Sequence, residues 1–401
     1  MSTTEAAVIE QESRLIMNTY ARYPIVIDRA KDARLYDLDG KEYVDLLAGI
    51  AVVNVGHCRE EIAQAIADQA RAMVHVSNLF YQKKQVELAE RLLETCQADK
   101  VFFCNSGAEA NEAAIKLARR YMRDVKGRDA YEIISLENSF HGRTMGTLAA
   151  TGQCGLRRGF EPLPGGFKNV PANDICAMRE AVDEHTAAVI IEMVQGEGGV
   201  LPLDAAYVND LMALLKDRDV LLIVDEIQTG LGRTGAFWAH EHFNLKPDIF
   251  TCAKALAGGL PMGAMLATEE VARGFTPGAH ATTFGGGPVL CAAALKVLDI
   301  IRDENLVERS RKLGESTLAM LKELILIHPG KIRHVRGMGL MIGVELSFPG
   351  QEVHRALLDK GFVCNLAQGR ILRLVPPLII EQADIEAFVA ALNEVLAAVE
   401  D

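Results

Sequence analysis

The 401-residue sequence is most readily narrowed by what it lacks. None of its eight cysteines (58, 96, 104, 154, 176, 252, 291 and 364) stands in a CxxC pair. Zinc sites and small disulfide frameworks need clustered ligands, so the expectation is reduced, mostly buried thiols, a cytoplasmic setting and no metal. No uncharged apolar run approaches the roughly 18 residues that a membrane helix requires, so no membrane partner is expected. The first ten residues hold acids and no basic segment, which argues against a standard signal peptide. Positive charge is also in deficit: 42 Lys and Arg against 54 Asp and Glu give a formal charge of −12. That balance argues against non-specific binding of nucleic acid, though not against small anions, which respond to the local field. Disorder is excluded too, because 49% hydrophobic and 24% charged residues describe an ordinary globular chain. Its length allows a large core and two or three domains.

Short apolar runs alternate with helical patterns through the middle of the chain. Val101–Cys104, Glu132–Ser135, Ala188–Ile191 and Leu221–Val224 read as buried strands, and Ala108–Arg123 and Ala205–Lys216 as helices between them. Such strands predict an α/β fold whose sheet is mainly parallel and flanked by helices. Ligands then collect at the carboxyl ends of the strands. Before residue 60 the pattern alternates and turns at Asp39-Gly40, a hairpin signal. After about residue 295 come helices, a Gly-rich strand region over Val335–Glu345 and a final helix over Glu381–Val399. The expected organisation is an N-terminal segment (1–60), a large domain (61–295) and a C-terminal part (296–401). The first and last together would make a smaller α+β domain.

Lys254 is the lysine with the most apolar surroundings, between Ile249-Phe250-Thr251-Cys252-Ala253 and Ala255-Leu256-Ala257. Desolvation should lower its pKa and make the amine nucleophilic, as a Schiff-base lysine requires. The plainer alternative is a long side chain snorkelling to water. Asp225 ends a second apolar strand, where it can hold a protonated ring nitrogen, and Gln228 can donate toward a ring oxygen; a capping aspartate is the alternative. Asn105-Ser106-Gly107-Ala108 joins a strand to a helix, and free N–H groups at such a start attract phosphate. Simple N-capping by Ser106 explains the same residues. Together, amine, acid and phosphate site match the needs of pyridoxal 5'-phosphate (PLP). His240-x-His242 lacks further ligands and is not expected to bind metal.

At these residues the sequence closely resembles the class III (omega-amino acid) aminotransferases of PLP fold type I. The matching segments are Asn105–Asn111, Phe140-His141-Gly142-Arg143-Thr144, Gln195–Gly199, Asp225–Gly230, Lys254 and Thr282–Gly286; Gly287 departs, standing where the family usually has Asn. The resemblance implies that Ser106, Gly107 and Ala108 cradle the cofactor phosphate and that Phe140 stacks on its ring. It implies that Asp225 pairs with the ring nitrogen, Gln228 contacts the ring hydroxyl oxygen and Lys254 binds the aldehyde. Thr283 would reach a neighbouring subunit's phosphate, which implies a homodimer with active sites at the interface.

Arg143 and Arg373 are the candidate carboxylate anchors, because a guanidinium grips carboxylate through two parallel hydrogen bonds. Two such anchors suit 2-oxoglutarate or glutamate. Glu197 resembles the family's switch residue, neutralising Arg373 while an ω-amine substrate is bound. Ile50 stands where relatives acting on free ornithine carry a tyrosine, which implies an acylated amine donor such as acetylornithine. Its carboxylate would lie on Arg143, with Thr282 nearby. The alternatives are another class III aminotransferase acting on succinylornithine, succinyl-diaminopimelate, ornithine or 4-aminobutyrate, or a non-catalytic phosphate-binding α/β module.

Overall fold

The computed structural model describes residues 4–399; the first three residues of the acidic N-terminal stretch and the last two of the chain lie outside it. A seven-stranded sheet runs through the centre in the order Lys100–Cys104, Gly263–Ala267, Ile249–Cys252, Leu221–Asp225, Thr186–Ile191, Glu132–Leu136 and Phe167–Val170. Only Gly263–Ala267 is antiparallel to its neighbours. The four strands expected from the sequence fall within a residue or two of their ranges. Gly263–Ala267 escaped sequence reading because it carries no β-branched or aromatic residue. Every residue of Thr186–Ile191 and Leu221–Asp225 is buried, as strands covered on both faces require. Truncating one of them, Ile190→Ala for instance, should cost about 2–5 kcal/mol.

The helix after the first strand spans Gly107–Arg120 and passes into one π-helical turn, Tyr121–Val125. Its Ala-rich face buries Ala110, Ala113, Ala114 and Ala118, so the helix lies close against the sheet. The hairpin forms where expected: Arg34–Asp37 pairs antiparallel with Glu42–Asp45, and Gly40 takes φ +83° in the turn. Phe362–Val363 then pairs in parallel with Val44 and Asp45. A further four-stranded sheet, in the order Ile332–Met338, Met341–Leu346, Ile371–Leu374 and Asn365–Ala367, carries Arg373.

Between hairpin and large sheet the chain makes an uncommon turn. Ala48, Gly49, Ile50 and Ala51 all have left-handed φ, at 51°, 63°, 67° and 59°. Each non-glycine residue there costs about 1–2 kcal/mol, most for β-branched Ile50. The cost is offset by fixed partners. The Asp45 carboxylate accepts from the N–H groups of Leu47 and Ala48, both at 2.8 Å. Backbone bonds run from Val375 N to Leu46 O (2.9 Å) and from Leu378 N to Asn54 O (2.7 Å). Arg233, wholly buried, clamps the same segments by donating to Asn54 Oδ1 at 2.6 Å and to Pro376 O at 2.6 Å. Two distant parts of the sequence are thereby fixed over one end of the large sheet.

Candidate active site

A cavity of about 430 Å³ opens at the carboxyl ends of the strands. Lys254, Asp225, Phe140, Arg143, Gln228 and Glu192 all line it. Lys254 follows strand Ile249–Cys252 and opens a single 3-10 turn, Lys254–Ala257, that ends at left-handed Gly258. Its own φ is +33°, a conformation lysine seldom adopts, and such strain persists only where the surroundings impose it. Burial lowers the pKa of its amine; Glu197 opposes that shift and Arg373 adds to it. The amine is therefore more readily neutral than a surface lysine, as its apolar sequence predicts.

Asp225 ends its strand wholly inside protein. Its Oδ2 accepts from Asn111 Nδ2 at 2.8 Å and His141 Nδ1 at 2.8 Å, and its Oδ1 accepts from Ile227 N at 3.0 Å. Asn111 is itself oriented: Thr251 Oγ1 donates to its Oδ1 at 2.8 Å, and its amide also donates to His141 O at 2.8 Å. Burial opposes a charge on His141, but Asp225 outweighs it, so the His141 pKa ends above its ordinary value. Three donors and one relay thus hold Asp225 aimed, with Oδ1 able to accept once more. Asn111 and Thr251 went unassigned, although an Asn inside an otherwise alanine-rich helical face is itself a signal.

At the start of helix Gly107–Arg120, Ser106 Oγ accepts from Glu109 N at 3.2 Å. The capping alternative is therefore realised, yet it uses one amide and leaves those of Gly107 and Ala108 at the cavity wall. A Cβ on Gly107 would stand 2.7 Å from Ile227 Cδ1, so the approach there requires glycine. An amine, an oriented carboxylate, exposed amides at a helix start and the flat Phe140 ring all face one cavity of suitable size. These residues fit PLP: Lys254 for its aldehyde, Asp225 for its ring nitrogen, and the Gly107–Ala108 amides for its phosphate.

Arg373 is buried on strand Ile371–Leu374. Its Nη1 donates to Glu197 Oε1 at 2.6 Å and to Gln228 Oε1 at 3.3 Å. Burial raises the Glu197 pKa, but Arg373 outweighs it and holds the carboxyl below its ordinary range. Arg143 is exposed, its guanidinium 5.7 Å from the centre of the Phe140 ring. Thr282 and Thr283 are not brought to this cavity. They line a separate groove of about 830 Å³ with Ser77, Asn78 and Leu79. Asn105 links the two regions, since it lines the cavity and donates from Nδ2 to Thr282 Oγ1 at 3.0 Å. Ile50 also stands outside; Val52 of the same turn lines the wall instead. His240 Nδ1 meets Glu226 at 2.9 Å and His242 Nε2 meets Thr234 O at 3.0 Å, so the two histidines face different partners.

Comparison with known proteins adds independent findings. Residues 16–396 match the family model for aminotransferase class-III. The acetylornithine aminotransferase of Methanocaldococcus jannaschii is 47% identical over 391 residues, covering 96% of this chain and 97% of that protein. An ornithine aminotransferase from Toxoplasma gondii, with partial occupancy of PLP at its active site, superposes with a TM-score of 0.95 at 32% identity, covering 99% of this chain and 95% of its own. An acetylornithine aminotransferase from Elizabethkingia anophelis gives a TM-score of 0.88 at 33% identity, with 98% and 99% covered.

Proposed function

The chain belongs to the class III aminotransferases, and from that premise we propose the reaction it catalyses: transfer of the δ-amino group of N2-acetyl-L-ornithine to 2-oxoglutarate. The products are N-acetyl-L-glutamate 5-semialdehyde and L-glutamate, a step of arginine biosynthesis. The enzyme is a PLP-dependent transaminase. The observation that carries the substrate reading is the Arg373–Glu197 pair at 2.6 Å in the Lys254 cavity. It is a carboxylate site that an internal acid can switch off. The name shared by relatives of nearly the same length supports it.

PLP, when bound, supplies an aldehyde that condenses with an amine and a ring that spreads the charge left by a departing proton. The side chains do the rest. Lys254, whose pKa burial lowers, would take the proton from the δ-carbon of the donor as general base and hold it for return. Asp225, fixed by His141 and Asn111, keeps the ring nitrogen protonated. Phe140 and Gln228 fix the ring's plane and rotation. Arg143, at the exposed side, grips the donor's carboxylate, while Glu197 covers Arg373 so that its charge does not draw in the wrong end of the donor. In the second half-reaction Glu197 withdraws, and Arg373 binds the carboxylate of 2-oxoglutarate next to its keto group.

The working form in this proposal is a homodimer. Leu79 and Tyr81, beside the Thr283 groove, are 88% and 104% exposed, and Phe80 and Phe284 are exposed with them. So much apolar surface in one place calls for a partner, and a second copy would set Thr283 on the neighbouring phosphate. A cytoplasmic setting is supported by eight free thiols. Among the described residues no helix is long and apolar enough to cross a membrane.

The test is a panel of amine donors with 2-oxoglutarate: acetylornithine, succinylornithine, succinyl-diaminopimelate, ornithine and 4-aminobutyrate. The expected order puts kcat/KM for acetylornithine first and for ornithine and 4-aminobutyrate far behind. Equal or better turnover of free ornithine would overturn the substrate assignment.

A further inference from the structure

Glu192 lies where two loops of the cavity meet. It follows strand Thr186–Ile191, is 5% exposed and lines the cavity. Its Oε2 accepts from Phe140 N at 3.0 Å, and its Oε1 accepts from Gly196 N at 3.3 Å. The first bond holds the loop that carries Phe140 and Arg143. The second holds the turn that carries Glu197. Both partners are donors that meet different oxygens, so the tie needs a side chain with two acceptor atoms and no donor, which among the amino acids only a carboxylate supplies.

We infer that Glu192 is a positioning residue that locks the Phe140–Arg143 loop to the Gly196–Glu197 turn, so that the Arg143 anchor and the acid that covers Arg373 keep one spacing. This rests on the functional reading above and adds a residue to it. Glutamine of the same size is the informative replacement. Its Oε1 could serve one amide, but its Nε2 would point a donor at the other, and one loop would be released. Protonation of Glu192 has a similar effect, because one oxygen becomes a donor. Burial is the main cause that raises its pKa, His141 opposes and Asp225 adds, and the carboxyl is pushed up to about 7. Lys254, Arg143 and Asp225 face the same cavity, and Glu197 and Arg373 stand beyond the turn. Of these carboxyl groups Glu197 is held low, so its titration falls well away from neutrality.

The experiment is calorimetric binding of glutarate, an unreactive dicarboxylate, to the holoenzyme between pH 6 and 8, for wild type and Glu192→Gln. Losing one charge-assisted hydrogen bond should weaken glutarate about tenfold in the variant at pH 8. Wild type should weaken as pH falls, with a midpoint of about 7, while Glu192→Gln lacks that step. In turnover, the rise in KM for 2-oxoglutarate should exceed the fall in kcat. A variant that binds glutarate like wild type, or keeps its pH dependence, overturns the inference. If the variant does not fold, the wild-type profile decides, and a flat one is fatal. Absence of transamination by wild type would sink the functional reading alone, since glutarate binding would still report on Glu192.

Discussion

The Lys254 cavity and the Thr283 groove lie on either side of Asn105, and they differ in how far one chain completes them. In the cavity the buried carboxylates and Arg373 have fixed partners: Asp225 with His141 and Asn111, Arg373 with Glu197, Glu192 with two backbone amides. In the groove, Thr283 is exposed and the neighbouring large side chains point to solvent. Buried charges without partners are costly, so a chain must finish its ionic site before association. Apolar surface costs less to leave open and gains on burial, so the groove can wait for a second copy.

Substitutions on the two sides should therefore fail differently. The largest effect belongs to Lys254→Ala, which should slow steady-state transamination by at least about 10³-fold, since it removes the proposed base. Asp225→Ala comes next. It leaves His141 and Asn111 without their shared acceptor, and PLP affinity, followed by fluorescence titration, should fall about a hundredfold. On the groove side, Leu79→Asp with Phe80→Asp should yield monomers in sedimentation and weaken PLP about tenfold, the worth of a lost phosphate contact. If those monomers bound PLP with wild-type affinity, the groove would have no share in the site. Glu197→Ala should act in the opposite sense on one ligand. With Arg373 uncovered, 2-oxoglutarate should bind about fivefold tighter, while the donor half-reaction, followed by stopped flow, slows. Unchanged rates in both half-reactions would remove Glu197 from the switch.

Much of this was legible in the sequence, and the rest was hidden for physical reasons. Lys254, Asp225 and the Ser106–Ala108 turn stand at the ends of apolar strands, which made them candidates, and the family resemblance decided against snorkelling and simple capping. The sheet was readable from the same apolar runs, except at Gly263–Ala267, which has no β-branched residue, and at Phe167–Val170, whose short run is broken by Lys168 and Asn169. Thr251 acquires meaning only through a contact that spans 140 residues, while Asn111 on its alanine-rich face and Glu192 at a strand end stand out locally but have partners 114 and 52 residues away. The left-handed turn at Ala48–Ala51 was illegible because only one of its four residues is glycine; Asp45, Arg233 and the segment after Arg373 impose it from outside. Ile50, read as a substrate-side residue, lies outside the single-chain cavity, as do Thr282 and Thr283.

The most direct measurement is the site of covalent attachment. Holoenzyme reduced with borohydride, digested and mapped by mass spectrometry should carry the pyridoxyl group on Lys254 and nowhere else, and the label should vanish in Lys254→Ala. A label on a different lysine, or none in a yellow wild-type protein, would contradict the placement of the reaction in this cavity.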